Sequence, residues 1–227
     1  ILSILSTAIL VFIYGGSASA FLGLFLGLWL ILGTIYEFLI KVGLKLSFHT
    51  FLKRSLQLPR SAYGMSLAHI GVAIFVIGVT VSSAWKIEIE QPIIKGEKVV
   101  INNIELKFLN INNVEGPNWI AERGKFEVVR LGKTTEFLYP ERRFYPASKI
   151  NTSEPAIMSN AFFDLYIVLG ESLNNDESYS LRVYYSPFIN WIWFGIMCMV
   201  LGGLLSVSDR KHRLGYSIKL NPENTNK

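Results

Sequence analysis

The sequence contains few of the residues from which reactive sites are usually built. It has a single cysteine, Cys198, three histidines, and only 17% charged residues. One thiol excludes an internal disulfide, and the chain has no phosphate-binding loop, nucleophile elbow, Cys-x-x-Cys pair or cluster with metal-ligand spacing. Because Cys198 lies inside an apolar block, we expect it to pack as a small hydrophobic side chain. These absences exclude the common motif-defined classes of soluble enzyme.

Long apolar runs are abundant instead. Hydrophobic residues make up 51% of the chain and fall in four blocks, at 1–14, 18–40, 61–85 and 188–207. The last three reach the roughly 20 residues that a spanning helix needs. The first block is too short and has no basic residues before it, so it does not resemble a signal peptide. We expect it to be the end of a spanning helix that starts earlier, in a longer protein. The sequence therefore predicts an integral membrane protein.

The charges predict which way the chain crosses the bilayer. Cations fill the segment between the second and third blocks and follow the fourth: Lys41, Lys45, Lys53, Arg54 and Arg60, then Arg210, Lys211 and Arg213. Positive residues stay on the cytoplasmic side, so residues 86–187 are predicted to be extracytoplasmic. Residues 85–187 hold 12 Lys/Arg and 14 Asp/Glu, whereas the rest holds 10 and 3. The basic pI therefore reflects topology and does not imply a nucleic-acid partner.

This topology divides the chain into five segments. Residues 1–60 are predicted to form a truncated and a complete transmembrane helix with a cytoplasmic loop. Residues 61–85 form the next spanning helix, 86–187 an inserted extracytoplasmic domain, 188–207 a last spanning helix, and 208–227 a cytoplasmic tail.

The inserted domain is predicted to be all-β. Apolar and polar residues alternate at 86–90 and 105–108, and turn residues such as Asn102-Asn103 recur about every ten residues. This spacing is typical of a small sandwich or an open barrel. Five charged residues of this domain, Glu141, Arg142, Arg143, Asp164 and Glu171, would suit acid–base chemistry if they converged. No spacing requires this, and we expect a solvated charged surface.

His69 is the candidate site residue. It lies inside the third apolar block, where an imidazole is costly unless it faces protein, water or a metal. One interpretation is an axial ligand of haem iron, and the other is a hydrogen bond to a neighbouring helix. His49 and His212 fall in the cationic flanks. If His69 is one of two axial histidines, the second comes from another chain or from a missing N-terminal portion.

Small residues predict how the helix of His69 packs. Gly64, Ala68, Gly71 and Gly78 form one stripe at helical spacing, suited to close approach of another helix. His69 points about 140° away from that stripe. Its own face holds Ala62, Met65, Ala73 and Val76. The two alanines are expected to leave space for a flat cofactor beside the imidazole.

Several local strings together resemble a known family. They are Gly64-Met65, Leu67-Ala68-His69-Ile70-Gly71, Gly116-Pro117-Asn118, Ala121-Glu122-Arg123-Gly124, Tyr139-Pro140-Glu141-Arg142-Arg143, Glu154-Pro155-Ala156-Ile157, Asp164-Leu165-Tyr166 and Trp191-Ile192-Trp193. In this order they resemble the C-terminal part of CcmF, the haem-lyase subunit family of cytochrome c maturation, and its nitrite-reductase-associated relatives. The resemblance covers most of the chain, from about residue 61 to residue 213.

The resemblance implies a protein that takes haem from a periplasmic haem chaperone and supports its attachment to the Cys-x-x-Cys-His thiols of apocytochrome c. It implies a b-type haem held in the membrane by two histidines, of which His69 matches one. Implied partners are the remaining N-terminal part of the lyase, the thiol-handling subunit and the lipid bilayer. The implied location is the bacterial or mitochondrial inner membrane.

The family's tryptophan-rich WWD segment, with its haem-handling histidines, has no counterpart in this sequence. The chain alone is therefore not expected to be a competent lyase, and no catalytic residue is assigned. The competing hypothesis is a non-catalytic membrane scaffold of an assembly complex in which His69 only bridges helices. Solute transport has no support, because paired broken helices are missing from the sequence pattern.

Overall fold

The computed structural model describes residues 1–43, 47–173 and 178–209. His212 and most of the expected tail lie outside the described residues, as do the cations Lys45, Arg210, Lys211 and Arg213. The described helices and strands form two compact units. One contains the helices up to Ala84 together with the chain from Trp191, and the other is Trp85–Asn190.

Five α-helices occur in the described residues: α1 Leu2–Tyr14, α2 Ala18–Val42, α3 Phe48–Leu56, α4 Arg60–Ala84 and α5 Ile189–Val207. Helices α2, α4 and α5 are long and apolar enough to cross a membrane, whereas α1 has 13 residues. The prediction of transmembrane helices is confirmed. Helix α3, whose last turn carries Lys53 and Arg54, was not predicted within the loop, because nine residues give too short a periodic pattern.

Helices α4 and α5 pack through glycines. A Cβ on Gly71 would lie 2.7 Å from the carbonyl oxygen of Gly195, and a Cβ on Gly202 would lie 2.5 Å from the amide nitrogen of Ala68. Real Cβ atoms do not approach backbone so closely, so only glycine allows the two helix backbones to meet in this way. The predicted small-residue stripe therefore does contact another helix. Buried Cys198 packs in the same contact, beside Gly71.

A remote carboxylate caps the start of α4. The Oδ2 atom of Asp209, just beyond α5, accepts a hydrogen bond of 3.1 Å from the backbone N–H of Ser61. The first N–H groups of a helix have no partner within the helix, and a carboxylate there also interacts favourably with the helix dipole. The buried Asp209 side chain thus joins the end of α5 to the start of α4.

Two threonines inside the spanning helices have hydrogen-bond partners within their own helix. The hydroxyl of Thr34 donates to the carbonyl of Leu30 at 2.7 Å, and that of Thr80 donates to the carbonyl of Val76 at 2.7 Å. Such bonds to the preceding turn let a hydroxyl sit in hydrocarbon without a partner from outside the helix. Neither threonine therefore needs a ligand.

The β domain is a two-sheet sandwich. Its strands are β1 Ile87–Ile94, β2 Lys98–Ile101, β3 Ile104–Glu115, β4 Ile120–Arg130, β5 Lys133–Leu138, β6 Glu141–Tyr145, β7 Ile150–Glu154, β8 Ala156–Ser159, β9 Phe163–Leu173 and β10 Ser178–Pro187. One sheet has the order β1-β10-β9-β8, and the other has the order β2-β3-β4-β6-β7 with β5 also paired to β4. All described pairings are antiparallel. The predicted all-β insertion is confirmed.

One continuous apolar core lies between the two sheets. In β9, Phe163, Leu165, Ile167 and Leu169 alternate with more exposed residues and are at most 3% exposed. Inward side chains of the opposite sheet, such as Phe108, complete the core. The period of two in the sequence is thus the consequence of one buried face per strand.

Candidate functional site

The two imidazole nitrogens of His69 differ: Nδ1 makes a hydrogen bond to the backbone, and Nε2 can bind a ligand. Its Nδ1 lies 2.9 Å from the carbonyl oxygen of Met65, one turn earlier in α4. A carbonyl oxygen only accepts, so Nδ1 carries the proton and Nε2 of the neutral ring keeps its lone pair. The side chain is exposed in the helical unit. In its neutral form, His69 therefore presents an unprotonated Nε2 at the surface of a membrane-spanning helix.

Helix α2 covers part of the face of α4 that carries His69. Ala62 is 8% exposed and Ala73 is fully buried. A Cβ on Gly27 of α2 would lie 3.3 Å from the Ala73 carbonyl oxygen, so α2 packs directly on Ala73. The expectation that Ala62 and Ala73 leave open space is wrong at Ala73, which α2 covers. His69, one turn before Ala73 in α4, is itself exposed.

A charged pair lies on α2, the helix that packs against α4. The carboxylate of Glu37 is 2.8 Å from Nζ of Lys41, one turn further along. Glu37 and Lys41 are partly exposed at the surface of the helical unit. Since each neutralises the other, the pair leaves no net charge on this part of α2.

The rest of the described chain adds no second ligand for a metal on His69. His49 is exposed on α3, outside the spanning helices. Among the described residues, no three His, Cys, Asp or Glu side chains are grouped as a metal cluster. A single exposed imidazole whose other nitrogen is fixed by a carbonyl fits one axial position of a haem. It does not fit a metal ion held by this chain alone.

The charged residues of the β domain do not converge on a catalytic site. Glu141 is 6% exposed, and its carboxylate accepts hydrogen bonds from Arg123 at 2.5 Å and from Arg143 at 2.8 Å. Arg142 pairs instead with Glu122 and Glu171. The expectation of a solvated surface is therefore wrong for Glu141, which is the buried centre of an ion-pair cluster.

The electrostatics of Glu141 follow from this burial. Burial raises the pKa of its carboxyl, but the hydrogen bonds and positive charges of Arg143 and Arg123 outweigh burial and hold the pKa below the usual value. The guanidinium of Arg143 also lies over the ring of Trp119, 4.3 Å from its centroid. A carboxylate committed to two arginines is ionised and structural, and it is unsuited to proton transfer near neutral pH.

Asp164 belongs to a separate cluster. Its Oδ1 accepts hydrogen bonds from the hydroxyl of Ser159 at 2.6 Å and from the amide of Asn190 at 2.9 Å. The same amide also donates to the backbone carbonyl of Asn160 at 2.8 Å. These bonds tie Asn190, the last residue of the β unit, to the β8–β9 turn of the same unit, so Asp164 has a structural role.

An open groove on the outer face of the β1-β10-β9-β8 sheet was not predicted. It has a volume of about 520 Å³ and is lined by Tyr166, Tyr184, Lys86 and Asp164, among others. The Lys86 ammonium lies 4.5 Å from the centre of the Tyr184 ring. Burial, together with the hydrogen bond to Glu88, raises the pKa of Tyr184. The sequence signal was the period-two run of polar and aromatic residues, which does not reveal which strands become neighbours.

Comparison with known proteins confirms the resemblance. Residues 84–187 match the family model described as the CcmF C-terminal beta-sandwich. The cytochrome c-type biogenesis protein CcmF of Haemophilus influenzae is 39% identical over 163 residues, covering 72% of this chain and 25% of that protein. The CcmF of Pseudomonas aeruginosa is 35% identical over 189 residues, covering 83% and 28%. The chain thus spans about a quarter of the length of these relatives.

A solved structure has the same fold. The chain named cytochrome c heme lyase CcmF superposes with a TM-score of 0.67 at 18% identity, covering 91% of this chain and 33% of that chain. Fold and composition together define an integral membrane protein with an inserted β-sandwich. More particularly, this is a CcmF-like chain, related in sequence and in fold to the C-terminal part of that family.

Proposed function

We propose that this chain is the part of a cytochrome c haem lyase that supplies one axial ligand, Nε2 of His69, to a b-type haem in the membrane. The main support for this proposal is the imidazole itself, which is exposed on a spanning helix and donates a hydrogen bond from Nδ1 to the Met65 carbonyl. That bond fixes the tautomer and the ring orientation before any metal arrives, as second-shell partners of metal-ligating histidines do. The second axial histidine comes from outside this chain.

The remaining roles follow the CcmF likeness. The whole protein receives haem from a periplasmic haem chaperone and supports its covalent attachment to the Cys-x-x-Cys-His motif of apocytochrome c, together with a thiol-handling subunit. The β-sandwich, 86–187, lies on the periplasmic or intermembrane side, and the spanning segments are 18–40, 61–85 and 188–207. Since the WWD segment is missing from this sequence, lyase activity requires the remaining N-terminal part.

When bound, a six-coordinate haem supplies one-electron transfer. The contributions of this chain are to present Nε2, to hold the ring through Met65, and to surround the imidazole with apolar helix and lipid. The neutralised Glu37–Lys41 pair adds no net charge to that environment. Each contribution depends on residues of α2 and α4.

The test is a reduced-minus-oxidised visible spectrum of the purified full assembly, comparing wild type with His69→Ala. We expect the low-spin b-type signal to be lost in His69→Ala, because one of two strong-field ligands is removed. His49→Ala is the matched control, since it removes an exposed histidine outside the spanning helices. An unchanged spectrum in His69→Ala would contradict ligation and would leave His69 to helix packing. A wild-type assembly without haem colour would favour the alternative of a non-catalytic membrane scaffold.

A further inference from the structure

We propose that Gly33 of α2 is a positioning residue for this haem, because its missing side chain leaves a notch in α2 against which the flat macrocycle lies beside His69. This inference rests on the proposed function, since it assumes that Nε2 of His69 binds the iron. It adds a second element, α2, to the site.

The position of Gly33 along the axis of α2, which we call its depth, follows from the contacts between the antiparallel helices α2 and α4. Near one end of the contact, a Cβ on Gly27 would lie 2.5 Å from the Ile77 side chain. Near the other end, the rings of Phe38 and Tyr63 are 5.6 Å apart. Halfway between these contacts, residues 32–33 of α2 lie level with residues 69–71 of α4. Both helices rise by the same distance per residue, so the interpolation is direct.

Gly33 therefore lies at the level of His69, and it is open. A Cβ built on Gly33 would meet nothing within 4 Å, and the residue is exposed. The other glycines of α2, Gly23 and Gly27, are instead filled by side chains of α4. Helix packing within the described chain thus explains Gly23 and Gly27 but leaves Gly33 unexplained, even though glycine is less favourable than alanine in a helix interior.

The row of α2 that contains Gly33 is exposed above and below the glycine. Glu37 follows Gly33 by one helical turn and is exposed. Trp29 precedes Gly33 by one turn and is 59% exposed. Trp29 and Glu37 thus bracket the notch, and eight residues of α-helix separate them by about 12 Å. The opening suits the edge or face of a flat ring system of tetrapyrrole size.

A flat aromatic ligand explains these features together better than a packing helix does. A glycine lets another helix approach, but a packed helix makes no use of a free Nε2 lone pair at the same depth. A tetrapyrrole held by His69 at this level would be wide enough to reach α2. A side chain at position 33 would then take up part of the space that the missing Cβ of Gly33 leaves open.

The experiment measures haem per protein in the purified full assembly for wild type, Gly33→Ala, Gly33→Leu, His69→Ala and the control Gly203→Leu. Gly203 is also an exposed glycine of a spanning helix with nothing within 4 Å of its Cβ. We expect Gly33→Leu to weaken haem retention about tenfold, equivalent to about 1.4 kcal/mol, through steric overlap. Gly33→Ala should give a smaller loss, and Gly203→Leu should give none.

Two outcomes would overturn the role of Gly33. One is wild-type haem content and spectrum in Gly33→Leu while His69→Ala is colourless, which would leave the proposed function intact. The other is equal loss in Gly33→Leu and Gly203→Leu, which would show a general defect in folding. Unchanged haem in both Gly33→Leu and His69→Ala would overturn the inference and the proposed ligation together. Size-exclusion profiles of each variant separate loss of haem from loss of folded protein.

Discussion

The close contact between α4 and α5 predicts different effects on stability for alanine substitutions at two adjacent residues. Gly202 and Gly203 lie in the same helix, so an alanine at either position changes helix propensity by the same amount. Gly202 is buried against α4, whereas Gly203 is exposed with nothing within 4 Å of its Cβ. The contribution of helix propensity is therefore the same in both variants, and any difference in their stability comes from the contact of Gly202 with α4.

The size of the effect follows from the distances. A Cβ at Gly202 would lie 2.5 Å from the amide nitrogen of Ala68 and 2.6 Å from the carbonyl oxygen of Gly64. Both atoms belong to backbone, so no rotamer change relieves the overlap. To reach the 3.4 Å at which ordinary contact begins, the helices must separate by up to about 0.9 Å. Overpacking of this kind costs typically about 1–3 kcal/mol.

We therefore expect Gly202→Ala to be about 1–3 kcal/mol less stable than Gly203→Ala. The assay is a titration of the purified protein in mild detergent with sodium dodecyl sulfate, with helix content followed by far-ultraviolet circular dichroism. Gly203→Ala itself should equal wild type or exceed its stability by up to about 1 kcal/mol. The double variant Gly71→Ala/Gly202→Ala should cost less than the two single changes added, because one separation of the helices relieves both overlaps. Equal midpoints for Gly202→Ala and Gly203→Ala would refute the close packing of α4 on α5.

Two further predictions concern the β domain. Because the pKa of Glu141 is held below its ordinary value, the ionised carboxylate stabilises the fold near neutral pH, and this contribution disappears as the pH falls through the folded-state pKa. Glu141→Gln should lower the free energy of unfolding by about 1–3 kcal/mol near pH 7 and make thermal unfolding less sensitive to acid. The control Glu136→Gln changes an exposed glutamate and should behave like wild type. A wild-type acid response in Glu141→Gln would contradict the structural role of Glu141. For the proposed topology, single cysteines are placed at exposed Asn113 or Ser208 in a Cys198→Ser background. An impermeant maleimide should label Asn113→Cys in intact cells and Ser208→Cys only after lysis, and the reverse pattern would invert the proposed orientation.

The sequence by itself determined the classes of structure and the candidate residue. Apolar blocks of at least about 20 residues have few alternatives to a spanning helix, since backbone in hydrocarbon must bond within its own segment. Strict alternation, as in β9 from Phe163 to Leu169, has few alternatives to a strand with one buried face. The rarity of an ionisable residue in hydrocarbon singled out His69 without any fold.

Tertiary structure decided what each of these residues contacts. Whether Ala73 borders open space depends on where α2 crosses α4, which no local pattern encodes. Glu141 is two residues from Arg143 but 18 from Arg123, and only the β4–β6 pairing brings both arginines to its carboxylate. From the sequence alone, Gly33 indicates only a position of high conformational freedom and predicts no site. It becomes part of a candidate site only because antiparallel packing sets it at the depth of His69.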